Sequence, residues 1–193
     1  MAAEDKYIKE ISKYNQHGLF KLWKEHLDNS LDATQNEFWR DGKLMEYVVL
    51  RAFELEGAII RWPYSIWMDG IQLEQIDGAI TIGNQILLIE SKDKDRGLNI
   101  EPIAKMRNQL LRRPSSVIGC VFSRNGYSEP AMALSRYMAP QTILLWDGNE
   151  LCFCIEHKMM IDALNLKIHK AAEEFDFCYN VYTYYQLQQL GSL

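Results

Sequence analysis

The stretch from Gln75 to Lys92 constrains the fold more than any other. Ile76, Gly78, Ile80 and Ile82 alternate with Asp77, Ala79 and Thr81, the period-two pattern of a strand. Gly83-Asn84 is a hairpin-turn dipeptide, and the apolar strand Ile86-Leu87-Leu88-Ile89 follows it. Pairing Ile82 with Gln85 around the turn sets the register and places Asp77 opposite Glu90. Directly opposed residues hold their Cβ atoms roughly 4.5–5.5 Å apart. Lys92, two residues past Glu90, projects from the same face. Two carboxylates this close repel unless one is protonated or a cation lies between them. Hard oxygen ligands at this spacing suit Mg²⁺, with Mn²⁺ as a substitute, held by one or two carboxylates with water and phosphate oxygens. The chemistry indicated is metal-assisted attack of water on a phosphodiester.

With 193 residues, 48% of them apolar and 24% charged, the chain can bury a substantial core as one domain. A net charge of −5 argues against a protein that coats nucleic acid through bulk electrostatics. The charge is unevenly placed. Between Lys92 and Arg124, eight cations (Lys92, Lys94, Arg96, Lys105, Arg107, Arg112, Arg113, Arg124) face three acids (Asp93, Asp95, Glu101), a local balance of +5. Cys120, Cys152, Cys154 and Cys178 form no CxxC pair, and four His show no ligand spacing, so free thiols in a reducing cytoplasm are expected. No signal-like segment or membrane-length apolar run is present, so no membrane association is expected.

Along the chain, residues 4–28 read as one or two amphipathic helices anchored by Ile8, Ile11, Phe20, Trp23 and Leu27, with Gly18 as a break. Asn29–Asp41 is polar loop or short helix, and a second helix runs over Lys43–Glu56 with Gly57 as its stop. Ala58–Arg61 is a short strand, and the aromatic segment Trp62–Trp67 leads into a long strand containing Asp77. After a polar loop over Asp93–Asn99 come a helix over Glu101–Arg113, a doubly buried strand over Val117–Phe122, a helix over Ser128–Met138 and a buried strand over Thr142–Trp146. Asp147-Gly148 reads as a turn before a short helix or extended piece. Residues 158–178 read as a helix, and the tail from Tyr179 is rich in Tyr and Gln. The order predicts an α/β three-layer sandwich, a central mixed sheet flanked by helices, with the right-handed crossover rule laying Glu101–Arg113 across one face.

From Gly42 to Leu151 the chain resembles the PD-(D/E)xK nuclease superfamily, and within it the Mrr-type restriction endonuclease domains. The resemblance is carried by a helix bearing Glu46, by Gln75-Ile76-Asp77-Gly78, by Glu90-Ser91-Lys92, by Gln109 in the next helix and by the run Gly119–Ser128. Ile76 stands where the superfamily's name has Pro. The resemblance implies a restriction-endonuclease-like fold with residues 42–157 as the core, 1–41 as a helical extension and 158–193 as a C-terminal helix and tail. It implies Asp77 and Glu90 as metal ligands with the Ser91 carbonyl, and Lys92 as the group that orients or deprotonates the attacking water. It gives Glu46 a metal contact through water or a second cation, and Gln109 a role in positioning Lys92 or the phosphate. A Mg²⁺-dependent endodeoxyribonuclease of restriction or defence type follows, acting as a homodimer or higher assembly, with a partner subunit as one way to select targets.

Several of these residues have a second reading. Asp77, Glu90 and Lys92 could form a charged solvent face, but Glu90 continues an apolar run where acids rarely sit without a task. Glu46 could pair with Lys43 or Arg51 on the helix surface. Gln109 could be a solvated helix position. Arg107, Arg112 and Arg113 are candidate phosphate contacts that equally suit a helix C-terminus, whereas Lys94, Arg96 and Arg124, in loops beside the hairpin, are the more plausible DNA contacts. The Trp62–Trp67 cluster suits core or dimer packing, or stacking on bases. The rival functions are an inactive nuclease-like subunit that binds DNA or supports assembly, and the same hydrolysis on RNA or single-stranded DNA.

Overall fold

The computed structural model describes residues 2–39 and 42–189. The Asp41 end of the polar segment and the last four residues of the tail therefore lie outside the described residues. Helices α1 (Ala2–Ile11), α2 (Gln16–Leu27), α3 (Ala33–Phe38) and α4 (Lys43–Leu55) precede the sheet. Asn15 caps α2 by accepting from the Gly18 amide, so the chain breaks before Gln16 and Gly18 lies inside the helix. Strands β1 (Ile59–Arg61), β2 (Tyr64–Met68), β3 (Ile71–Ile76), β4 (Gly78–Ile82) and β5 (Gln85–Lys92) come next. Then α5 (Glu101–Leu110), β6 (Ile118–Ser123), α6 (Glu129–Arg136), β7 (Ile143–Asp147), α7 (Gly148–His157), α8 (Met160–Glu174) and α9 (Val181–Gln189) complete the order.

Five strands form a mixed sheet in the order β1-β4-β5-β6-β7, antiparallel up to β5 and parallel beyond it. Ile80, Leu87 and Ile89 face a core shared with α1, α2, α4, α7 and α8, whereas Ala79, Leu88 and Val121 face one shared with α5 and α6. The result is the expected α/β sandwich with helices on both faces. Tyr7, Leu19 and Trp23 from the N-terminal helices and Ala163, Leu164 and Val181 near the C-terminus pack in the same cluster as Val48 and Phe53.

The hairpin register agrees with the sequence reading: Ile82 pairs with Gln85, and the ladder runs back to Gly78 opposite Ile89. The long strand expected around Asp77 is instead two strands. β3 pairs only with β2 in a separate ribbon, while β4 joins the main sheet, and the chain bends at Asp77 between them. The ribbon turns at Asp69-Gly70, where both residues have positive φ (50° and 78°), the backbone of the turn that suits two-residue hairpins. Trp62–Trp67 is thus divided. Trp62 stacks on Tyr47 at 5.7 Å, and Trp67 stands on the ribbon with 61% of its surface exposed.

Two further expectations are corrected, and the tail gains a structure. Asp147 is no turn residue but the N-cap of α7, its carboxylate accepting from the Glu150 amide. The helix expected over 158–178 ends at Glu174, where Phe175 takes left-handed angles. The Tyr/Gln-rich tail forms α9 and packs on α7 through Tyr182 and Tyr185 against Phe153.

Candidate active site

The bend at Asp77 follows from what its neighbours can pair with. β4 ends its ladder at Gly78, and the Asp77 side chain carries the contact one step further: Oδ2 accepts from the Ser91 amide at 2.8 Å. Gly78 also sets how close α4 can lie, because a Cβ there would stand 2.6 Å from Leu50 Cδ2. α4 therefore rests directly on β4, and Glu46 in its first turn comes within electrostatic reach of Asp77.

Glu90 lies near the carboxyl end of β5 and is fully buried, and Asp77 is only 6% exposed. Lys92 Nζ stands 2.6 Å from Glu90 Oε1, 3.7 Å from Asp77 Oδ2 and 3.1 Å from the Ser91 carbonyl. The three hairpin residues thus meet as expected. Burial, and after it the charge on Glu90, raises the Asp77 carboxyl above its ordinary range. Burial pulls the Lys92 ammonium down, but Asp77 and Glu90 outweigh it and hold its pKa above the ordinary value. Glu46 is pushed up to about 7, first by burial and then by the charge on Asp77. It is also bonded to Lys43 at 2.8 Å, so the helix-surface pair foreseen for it is present while its carboxyl points into the site's field.

A second ammonium reaches the buried glutamate. Lys105 on α5 stands 2.8 and 2.6 Å from the two Glu90 oxygens. In the sequence Lys105 is marked only as one cation of the basic segment. Gln109, one turn further along α5, is buried, and its side-chain amide donates to the Gln75 carbonyl at 3.4 Å rather than to Lys92.

The other candidate cations divide by their partners. Arg112 and Arg113 both pair with Glu74 of β3, tying the end of α5 to the ribbon. Arg124 bonds Asp93 at 3.2 Å and Asp95 at 2.7 Å, and Asp93 also meets His26 at 2.7 Å. His26, which showed no pattern in the sequence, therefore anchors the backbone just past Lys92. Arg107 is half-buried, and Lys94 and Arg96 are exposed beside a small hollow closed by Leu98 and Asn99.

Among the described residues, no group of three or more His, Cys, Asp or Glu side chains is arranged to hold a metal ion. The donor set at the hairpin is smaller but of the right kind for Mg²⁺: the buried carboxylates of Asp77 and Glu90, with the Ser91 carbonyl beside them. All four cysteines are free, and among the described residues no helix is long and apolar enough to cross a membrane.

No family model and no curated protein matches the sequence. Among solved structures, the chain is similar to restriction endonuclease FokI with 15% identity over 73% of this chain and 28% of that one, TM-score 0.46. It is similar to the MspJI restriction endonuclease in complex with a 27-mer oligonucleotide, with 19% identity over 68% and 33%, TM-score 0.39. It is also similar to protein VC1899 from Vibrio cholerae, with 12% identity over 67% and 35%, TM-score 0.46. The chain thus spans between 28% and 35% of the length of these three proteins.

Proposed function

We propose that the protein is a Mg²⁺-dependent endonuclease that hydrolyses phosphodiester bonds in DNA. The observation that carries this reading is the fully buried Glu90, set beside Asp77 at the end of a central strand with the Lys92 ammonium on both. Burying acids with no chemical task is costly, and this pair lies at the carboxyl end of β5, where open α/β sheets place their sites. Asp77, Glu90 and the Ser91 carbonyl would hold the ion. Bound there, Mg²⁺ supplies Lewis-acid polarisation of the phosphodiester and neutralises charge developing at phosphorus, and Mn²⁺ would substitute.

The chain's own groups divide the remaining work. Lys92 keeps its proton at neutral pH, because its pKa is held up by Asp77 and Glu90 against the pull of burial. It acts as a donor that orients the attacking water and the phosphate oxygens, not as the base. Glu46, within electrostatic reach of Asp77, would contact the ion through water or hold a second cation. Cutting both strands of a duplex takes two such centres, so the working form is read as a homodimer. A restriction or defence role in the cytoplasm, with a further subunit or segment choosing the target, completes the reading.

The test is cleavage of supercoiled plasmid, linear duplex, single strands and RNA in Mg²⁺ by wild type, Asp77→Ala and Lys92→Ala. Loss of at least about a hundredfold in rate is expected for each variant, the scale of removing one preorganised charge-stabilising group. Equal cleavage by all three proteins would overturn the assignment, and the preferred substrate in the panel decides between DNA and RNA.

A further inference from the structure

A groove with a volume of about 570 Å³ opens between α5 and the β2–β3 ribbon, lined among others by Leu73, Gln75, Lys105, Asn108, Gln109 and Arg112. Lys105 joins it to the buried acids. Its ammonium touches both oxygens of Glu90, yet its side chain is 43% exposed towards solvent. Seven residues on, Arg112 is 56% exposed and shares Glu74 with Arg113, so those three side chains together carry one net positive charge. Leu111 keeps right-handed helical angles past the end of α5, so Lys105 and Arg112 are separated by a rise of about 10 Å. That is the scale on which neighbouring phosphates of one strand recur. Between them, the wall contains Gln109, which is 3% exposed and whose Oε1 accepts no hydrogen bond among the described residues. A buried acceptor without a donor calls for a partner. Leu73 offers exposed apolar surface from the ribbon side, on which bases can pack.

We propose that a nucleic-acid strand lies in this groove, with Lys105 holding a phosphate at the Glu90 end and Arg112 one further along the same strand. The proposal rests on the nuclease reading and adds the path of the strand: along α5 and the ribbon, not over the loop carrying Lys94 and Arg96. Position supports that choice: Lys105 reaches the buried Glu90 from the groove, whereas among the described residues no ion pair joins Lys94 or Arg96 to the buried acids.

The experiment is a salt titration of binding to a fluorescent single-stranded oligonucleotide in EDTA, where metal-dependent turnover is absent. It compares wild type, Lys105→Met, Lys105→Arg, Arg112→Met and, as a distant control, Lys21→Met on α2. Each Met variant in the groove is expected to lower the slope of log affinity against log salt by about 0.7, the value for one lost phosphate contact on a single strand. Lys105→Arg is expected to restore the slope and Lys21→Met to leave it unchanged, with thermal melts confirming that all are folded. If wild type binds and cleaves but either groove Met variant keeps the full slope, or Lys105→Arg fails to restore it, the strand path is overturned and the nuclease reading stands. If wild type neither binds the oligonucleotide nor cleaves any substrate in the panel, both are overturned.

Discussion

At the scale of single residues, Glu46 connects the site's electrostatics to a measurable property of the fold. Its carboxyl is lifted from 4.5 to about 7 by burial and by Asp77, against the pull of Lys43. A carboxyl whose pKa is higher folded than unfolded favours folding while protonated. That contribution is complete below about 4.5 and is lost as the pH rises through about 7. The interval corresponds to about 3 kcal/mol. In metal-free buffer, Glu46→Gln is therefore expected to gain on wild type by up to that amount between pH 5 and pH 8, read as the difference of their urea-unfolding free energies. Parallel pH profiles for the two proteins would show that Glu46 does not carry the strain. The same neighbourhood shows what a sequence reveals of a site. Asp77, Glu90 and Lys92 were legible because strand periodicity and a two-residue turn set their mutual positions, and the ladder observed is the one inferred. Lys105 was not, because its partner lies fifteen residues earlier on another element and only the packing of α5 on the sheet joins them. Gln109, four residues on, was picked out from the same helix, so the helical spacing of the pair was the signal available.

At the scale of elements, the misread segments share a physical cause: residues that are turn formers in isolation were reassigned by their neighbours. Asp147-Gly148 has turn chemistry, but the Asp147 carboxylate caps the α7 amides. Gly148 lies so close to the Arg124 carbonyl that a Cβ would stand 2.5 Å from it. Asp69-Gly70 is the reverse case, a hairpin dipeptide just past the aromatic segment, and it makes the ribbon that walls the groove. The C-terminal helices show how tertiary contacts override a weak local pattern. Lys167 of α8 and Glu150 of α7 form a fully buried pair at 2.8 Å. Glu150 also accepts from the Val181 amide at the start of α9, and Lys167 lies 4.6 Å over the Trp146 ring. This joint holds three helices to β7. Lys167→Met would leave a buried carboxylate without its counter-charge and is expected to cost about 3–5 kcal/mol. Adding Glu150→Gln, which keeps an acceptor for Val181, should recover a large part of that loss. Urea unfolding of the two variants checks it, and a double variant no more stable than the single one would rule out charge as the reason.

At the scale of the whole molecule, fold class was legible because it depends on the order and periodicity of elements, while the aim of the site was not, because that depends on surfaces built from distant segments. The net charge of −5 hides a basic stretch whose cations are largely bound to acids of other elements: Glu74, Asp93 and Glu90. The folded state alone holds Asp77 and Glu90 side by side, where the charge on Glu90 raises the Asp77 carboxyl, so a divalent cation at the proposed site would bind the folded protein alone. A ligand that binds only the folded state stabilises it by RT ln(1 + [L]/Kd), about 2.7 kcal/mol at a hundred times Kd. For a chain of this size each kcal/mol moves the melting temperature by about 2–4 °C. Saturating Mn²⁺ or Mg²⁺ is therefore expected to raise the melting temperature of wild type by about 5–10 °C over a potassium control of equal ionic strength. Asp77→Asn preserves the shape of the side chain and an acceptor for the Ser91 amide but removes one negative charge, and it should melt at the same temperature with and without the divalent ion. Because this reading does not depend on turnover, a shift in wild type without cleavage would separate a metal-loaded protein awaiting its proper substrate from one with no metal site. Equal shifts in wild type and Asp77→Asn would place the ion elsewhere in the molecule and remove Asp77 from its shell.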